Sequence, residues 1–167
     1  TGWENWFDPQ GRIDAFDWVT PYSDFDLKGV IAYGKSKNVS IIGHHETSSV
    51  VYKYDTLMDA AFTQCEALGI PAVKTGYVGK ILPAGEYHHG QWMVEHYQRS
   101  VETAAKHHIM LDIHEPIKPT GIRRTWPNLM SREGVRGTEF NAWSTGSPPS
   151  HITILPFTRG LAGPIDY

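Results

Sequence analysis

Residues 40–79, SIIGHHETSSVVYKYDTLMDAAFTQCEALGIPAVKTGYVG, decide the fold. The segment predicts a buried strand over residues 40–46, a helix over 55–68 and a second strand over 72–79. An apolar stripe at helical spacing marks the helix, which Asp55 can cap at its start and Gly69 can end. Alternation of strand, helix and strand is typical of a parallel sheet covered by helices, especially when the strands are almost entirely apolar.

The same alternation continues on both sides of this segment. A helix over residues 26–37 precedes it, with Asn38 as its stop, and a helix over 91–107 and a strand over 109–115 follow. We also expect a short strand over 135–140 and the start of a fifth near 152–155. Residues 1–22 show no period and predict a long loop.

Composition excludes several classes of function. The chain has 167 residues, a net charge of −3 and one cysteine, Cys65. There is no basic patch for nucleic acid, no apolar run of about 18 residues for a membrane span and no signal segment. A single cysteine excludes an internal disulfide framework and a cysteine-based metal site.

Polar residues cluster where the predicted strands end. Because ligands of parallel α/β folds bind beyond the carboxyl ends of the strands, these residues are the candidates for chemistry. They are His44, His45, Glu46, Lys74, His114, Glu115, Glu133 and Glu139. One such glutamate alone most often caps a helix or pairs with an arginine, but three at equivalent strand ends predict a functional carboxylate cluster.

Such a cluster has more than one possible use. Two carboxylates that flank a glycosidic bond can divide the acid and base roles, and three carboxylates suit Ca²⁺ or Mg²⁺. Alternatively, His44, His45 and His114 could bind Zn²⁺ in a barrel hydrolase. Adjacent histidines on a helix point about 100° apart, so the pair at 107–108 is expected to be structural, while the pair at 88–89 stays open.

Five stretches together resemble glycoside hydrolase family 97. They are HHET (44–47), AVKTGYVG (72–79), GEYHHGQW (85–92), HEPIKPTGIRRTWPNLMSREGVRGTEFNAW (114–143) and HITILPFTRG (151–160). The family contains calcium-dependent α-glucosidases and α-galactosidases with a (β/α)₈ barrel, a fold that takes about 250 residues. The resemblance therefore implies that residues 1–167 are a partial TIM barrel, about strands 3–7, without the family's N-terminal β-sandwich, first barrel strands and C-terminal part.

The resemblance also implies a role for each strand-end residue. Glu139 matches the general acid, and Glu46 and Glu115 match the carboxylates that act as general base toward the attacking water. Three positions match calcium ligands: Glu115, Glu133 and Glu139. Three others match contacts to the bound sugar: His44, Lys74 and His114.

One departure from the family pattern concerns stereochemistry. Retaining members carry an aspartate nucleophile at the end of the strand that ends here in Gly76, and glycine offers no nucleophile. The resemblance therefore implies an inverting, Ca²⁺-dependent α-glucosidase that acts on oligosaccharides. The alternatives are an α-galactosidase of the same family, a metal-dependent barrel hydrolase with histidine ligands, or an inactive fragment. By resemblance, the parent protein is expected in the periplasm or cell envelope of a bacterium.

Overall fold

A computed structural model describes residues 17–81 and 83–167. Most of the predicted opening loop, residues 1–16, lies outside the described residues. The remaining chain alternates between helices and strands: α1 (Leu27–Ser36), β1 (Ile42–Glu46), α2 (Val51–Leu68), β2 (Ala72–Gly76), α3 (Gln91–Lys106), β3 (Met110–Ile113), β4 (Leu129–Arg132) and α4 (Pro149–Ile154). Short 3₁₀ turns occupy Ile122–Arg124, Thr138–Asn141, Leu155–Phe157 and Arg159–Ala162.

The four strands form one parallel sheet in the order β1-β2-β3-β4. The register places Glu46 beside Gly76 and Thr75 beside Ile113, so the carboxyl ends of the strands meet at one edge. The predicted α/β class with a parallel sheet is confirmed. The assignment to barrel strands 3–7 stays a prediction, and no helix in the described part is both long and apolar enough to cross a membrane.

The core lies between one face of the sheet and the helices. Alternate strand residues such as Val73, Leu111 and Ile113 are buried on this outer face. Helical side chains that pack in the same core include Tyr54, Met58, Phe62, Met93 and Val101. The opposite, inner face carries polar side chains such as Lys74 and Asp112, which form an ion pair across neighbouring strands.

The helix ends largely follow the sequence signals. Asp26 caps α1 by accepting a hydrogen bond from the Gly29 amide, and Gly69 ends α2 with a left-handed φ of 71°. The predicted cap at Asp55 is wrong, because α2 begins four residues earlier at Val51. A tight turn starts the helix early: the Thr47 hydroxyl donates to the Gly76 carbonyl and accepts from the Ser49 amide.

Two predicted strands are wrong. Residues 138–141 form a 3₁₀ turn, and the fourth strand lies earlier, at Leu129–Arg132, in a segment expected to be loop. This strand has only four residues, LMSR, which is too few for an apolar run that would identify it in the sequence. It pairs with β3 across an irregularity in register. The segment near 152–155 is helical, because Pro149 occupies the first turn of α4.

Candidate active site

Acidic side chains gather at the carboxyl edge of the sheet. Glu46 ends β1, Glu115 lies two residues beyond β3, and Glu133 directly follows β4. Glu139, which was expected to end a strand, is instead an exposed residue of the 3₁₀ turn Thr138–Asn141. The strand-end carboxylate of β4 is therefore Glu133, and the turn brings Glu139 back toward it.

Glu46 is a buried carboxylate held by backbone amides. The residue is 5% exposed, and its Oε1 accepts hydrogen bonds from the Ser48 amide at 2.7 Å and the Val78 amide at 3.3 Å. Burial outweighs these two hydrogen bonds and raises the pKa of Glu46 above its ordinary value. A carboxylate with a raised pKa is closer to the basicity that general-base catalysis needs.

Gly76 leaves room for the Glu46 carboxylate. A Cβ added at residue 76 would overlap Glu46 Oε2, would lie 2.8 Å from Glu46 Cδ and would come within 3.3 Å of His44 Nε2. Gly76 does not have the positive φ that favours glycine. Glycine is therefore needed at residue 76 because the Glu46 carboxylate approaches it closely, and not because the backbone conformation is unusual.

Glu115 is fixed through both its backbone and its side chain. Its carboxylate accepts from the Tyr77 amide at 2.7 Å and pairs with His114 Nδ1 at 2.9 Å. Its carbonyl accepts from the Tyr97 hydroxyl at 2.7 Å and from His88 Nε2 at 2.5 Å. The φ of Glu115 is 42°, a left-handed conformation that costs a non-glycine residue about 1 kcal/mol and is concentrated at functional sites.

His114 lies between two carboxylates. Its Nδ1 pairs with Glu115 and its Nε2 pairs with Glu133 at 3.0 Å. Burial opposes the charged imidazolium, but the two carboxylates outweigh it and raise the pKa of His114 to about 10. The ion pair in turn lowers the pKa of Glu115 against the effect of burial. Glu115 is therefore held as a carboxylate beside a positive charge.

A cavity of about 600 Å³ opens beside these residues. Its lining includes Tyr77, His88, Glu115, Glu133, Glu139 and Phe140. A smaller cavity of about 140 Å³, lined by Lys74, His114, Glu133, Glu139 and Asp166 among others, adjoins it. Two carboxylates, Glu133 and Glu139, line both cavities, and the larger one has the size of a pocket for a small ligand.

Ligand atoms of His114, Glu133 and Glu139 all lie within 4.8 Å of one another. Within residues 17–81 and 83–167 this is the group of three or more side chains that could hold a metal ion. It contains two of the three calcium ligands implied by the family resemblance. The third, Glu115, directs its carboxylate to the Tyr77 amide and to His114.

Lys74 takes part in an ion-pair network on the inner face. Its ammonium group donates to Asp166, near the end of the chain, and lies 3.9 Å from Asp112. These carboxylates outweigh burial and raise the pKa of Lys74, which keeps it charged. Sequence reasoning missed both partners. The polar position of Asp112 inside a strand was a usable signal, but nothing in the sequence pairs Asp166 with a lysine 92 residues away.

The proposed histidine site for Zn²⁺ does not form. His45 lies on the outer face, where its Nδ1 contacts the Tyr54 hydroxyl at 2.8 Å and burial lowers its pKa to about 3. It cannot join His44 and His114 on the inner side of the sheet. Two other histidines, His88 and His89, line the large cavity, while those at 107 and 108 pair with acidic residues of α2.

Comparison with known proteins gives a consistent result. The family model described as Glycoside hydrolase 97 matches residues 1–135. A family 97 enzyme from Pseudoalteromonas sp. strain K8, solved in complex with acarbose, is 47% identical with a TM-score of 0.89 and covers 99% of this chain. A retaining α-galactosidase of Bacteroides thetaiotaomicron is 30% identical over 90% of the chain. A probable retaining α-galactosidase of Streptomyces bingchenggensis is 28% identical over 99%.

The relatives are much longer than this chain. The chain spans 27% of the Pseudoalteromonas enzyme, 21% of the Bacteroides protein and 23% of the Streptomyces protein. The likeness to the solved structure nevertheless extends over almost all of the described residues, including the carboxyl edge of the sheet.

Proposed function

Because the chain belongs to glycoside hydrolase family 97, we propose that it carries the catalytic carboxylates of an enzyme that cleaves α-glycosidic bonds. One observation carries this proposal: Glu115, Glu133 and Glu139 line a single cavity of about 600 Å³, at the edge where Glu46 ends its strand. Cleavage of a glycosidic bond requires one carboxyl group that donates a proton and a second that acts on the other side of the sugar.

The proposed roles follow from the surroundings of each carboxyl group. Glu139 is exposed on a turn and faces the cavity, so it can reach the leaving glycosidic oxygen and protonate it. Glu46 and Glu115 are held by backbone amides at the sheet edge, so they can accept a proton from an attacking water without moving. Lys74, His44 and His114 are proposed to bind the sugar from the inner face of the sheet.

We propose inversion of the anomeric centre. A covalent route needs a carboxylate nucleophile close to the anomeric carbon, and Gly76 offers none. The Glu46 carboxylate occupies the space that a side chain at residue 76 would need. The position that carries a nucleophile in the retaining pattern is thus taken by a proposed base, which supports attack by water.

The proposed substrate is an α-glucosidic oligosaccharide. The support is the Pseudoalteromonas enzyme, which was also solved, as a variant 46% identical to this chain, in complex with panose, an oligosaccharide built only of glucose. The second candidate is an α-galactoside with retention, because the two curated relatives carry the name retaining α-galactosidase at 28–30% identity. The higher identity of the glucoside-binding enzyme favours the first candidate.

A proton NMR time course tests both points with the full-length protein. On an aryl α-glucoside we expect β-glucose to be the first anomer released, because a single displacement by water inverts the centre. A parallel reaction with the aryl α-galactoside tests the second candidate. First-formed α-glucose would contradict inversion, and faster hydrolysis of the galactoside would contradict the assigned substrate.

We further propose that Ca²⁺ is bound at this site. The donor set suits it, since Glu133 and Glu139 bring carboxylate oxygens together and Ca²⁺ prefers oxygen ligands. Glu115 is the third proposed ligand, by resemblance to the family. Bound there, the ion would supply positive charge that orients substrate hydroxyl groups beside the acid. The location in the periplasm or cell envelope and the possibility of an inactive fragment stay predictions.

Removal of calcium gives a direct check. We expect EDTA to lower the activity of the full-length protein and added Ca²⁺ to restore it. Glu133→Gln should raise the Ca²⁺ concentration needed for half-maximal activity by about tenfold or more, because a ligand oxygen loses its charge. Glu102→Gln, on the outer helix α3, is the matched control and should leave this concentration unchanged. Full activity in metal-free enzyme would contradict the calcium site.

A further inference from the structure

Three arginines surround a small pocket beside β4. Arg132 is the last residue of this strand, Arg123 belongs to the turn Ile122–Arg124, and Arg159 begins the turn Arg159–Ala162. All three line a pocket of about 10 Å³, together with Gly163 and several residues of β4. A volume of about one water-sized sphere admits a single water molecule or a monatomic ion.

The guanidinium groups hold buried donors that have no acceptor. Arg132 is 6% exposed, yet its Nη2 is buried and makes no hydrogen bond. Arg159 donates through Nη2 to the Arg132 carbonyl at 3.0 Å, whereas its Nη1 is buried without a partner. Burying a charged donor without a partner is unfavourable, so two such atoms on adjacent arginines indicate a binding site for a ligand.

The third guanidinium is held against the same segment of chain. The φ of Gly163 is 128°, and a Cβ at this position would lie 2.6 Å from Arg123 Nε and 2.7 Å from its Cζ. The Arg123 guanidinium therefore packs directly on the Gly163 backbone. A bulkier residue at 163 would push it away from the other two arginines.

No carboxylate neutralises this cluster within the described residues. The neighbouring acids are used elsewhere: Glu133 pairs with His114, and Asp112 accepts a hydrogen bond from Ser131. Burial, followed by the charges of Arg159 and Arg123, lowers the pKa of Arg132. The nearby Tyr97 is not a counter-charge, because burial raises the pKa of its phenol well above its usual value and keeps it neutral.

We propose that Arg123, Arg132 and Arg159 form a binding site for a small monovalent anion, with chloride as the ligand. Three arginines that line one pocket supply both the charge and the N–H donors that an anion needs. The size of the pocket favours a monatomic anion over sulfate or phosphate. The observations behind this proposal do not depend on the proposed glycosidase activity, although Arg159 also lines the large cavity.

The anion would stabilise the contact of the segment 159–166 with the sheet. The Arg132 carbonyl accepts from the Asp166 amide at 3.2 Å as well as from Arg159, and Arg132 forms a bridge with Ile165. Neutralising the arginines would stabilise this arrangement, which places Asp166 on Lys74. Loss of the anion should therefore loosen the segment 159–166 before the rest of the fold.

Anomalous diffraction tests the site directly. Crystals of the protein grown or soaked in sodium bromide should show a bromide peak in contact with the guanidinium groups of Arg132 and Arg159. Sulfate or phosphate offered at equal concentration should leave the pocket without oxyanion density. The absence of a bromide peak, or occupation of the pocket by an oxyanion or a carboxylate side chain, would overturn the proposal.

A matched pair of variants tests it in solution. At ten times the half-saturating bromide concentration, the melting temperature of the full-length protein should rise by about 1 °C above that in sodium isethionate of equal ionic strength, and the rise should saturate with bromide. Arg123→Gln should raise the half-saturating concentration at least tenfold. Arg124→Gln, the exposed neighbour in the same turn, should leave it unchanged. An equal loss in both variants, or no saturable rise in the wild type, would overturn the site.

Discussion

Glu139→Gln should lower kcat for α-glucosidic oligosaccharides by about 10²–10⁴-fold, the usual contribution of a general acid. Sugar hydroxyls are poor leaving groups unless the glycosidic oxygen is protonated, and glutamine cannot supply the proton. Glu139 lies on a surface turn with no role in the core, so the variant should fold normally. The measurement is steady-state hydrolysis of maltose-type oligosaccharides by the full-length protein.

A comparison of substrates with good and poor leaving groups distinguishes the loss of acid catalysis from a general loss of activity. A dinitrophenyl α-glucoside needs little protonation, so at saturating Ca²⁺, which offsets the loss of Glu139 as a proposed ligand, Glu139→Gln should retain most of its kcat on this substrate. Glu102→Gln, on the outer surface of α3, serves as the control and should match the wild type on both substrates. An equal fall on both types of substrate would contradict the role of Glu139 as the acid.

Gly76→Ala should lower kcat by about 10²-fold or more, although it adds a single methyl group. The added Cβ would overlap Glu46 Oε2 and force the carboxylate away from the amides of Ser48 and Val78. A displaced base loses the alignment with water on which its contribution of about 10²–10⁴-fold depends. Because the strand backbone at residue 76 is ordinary, the effect should come from Glu46 and not from a distorted sheet.

A double-mutant cycle shows whether the methyl group added by Gly76→Ala acts through Glu46. In a Glu46→Ala background the space beside residue 76 is free, so Gly76→Ala should cost little further activity. Melting curves of all four proteins show whether each variant is folded. If the two substitutions lower kcat independently, with multiplied effects, the proposed contact does not explain the need for glycine.

The sequence predicted well those parts whose signal is local. The apolar stripes of the three long helices, the glycine that ends α2 and the apolar runs of β1, β2 and β3 were all found near their observed places. Glu46 and Glu115 were located because they follow such runs. Strand β4 was missed because four residues, LMSR, carry no periodicity and owe their extended form to pairing with β3.

Other parts of the site depend on contacts that leave no local trace. Glu139 was identified through family resemblance, yet its place on a 3₁₀ turn follows from packing of residues 133–141 around the cavity. Asp166 reaches Lys74 because the preceding residue, Ile165, forms a bridge with Arg132. The separation of His45 from His44, by contrast, follows from strand alternation and was available from the sequence.

The space shared by Gly76 and Glu46 has a consequence for how such enzymes diverge. An aspartate at 76 and the glutamate at 46 would compete for one volume, so neither can be introduced while the other remains in place. A lineage that changed residue 76 first would carry a clash, and one that lost Glu46 first would pass through an intermediate without the proposed base. Under the proposed mechanism, conversion between inversion and retention therefore requires paired substitutions at residues 46 and 76, and single substitutions should leave the stereochemical outcome of a lineage unchanged.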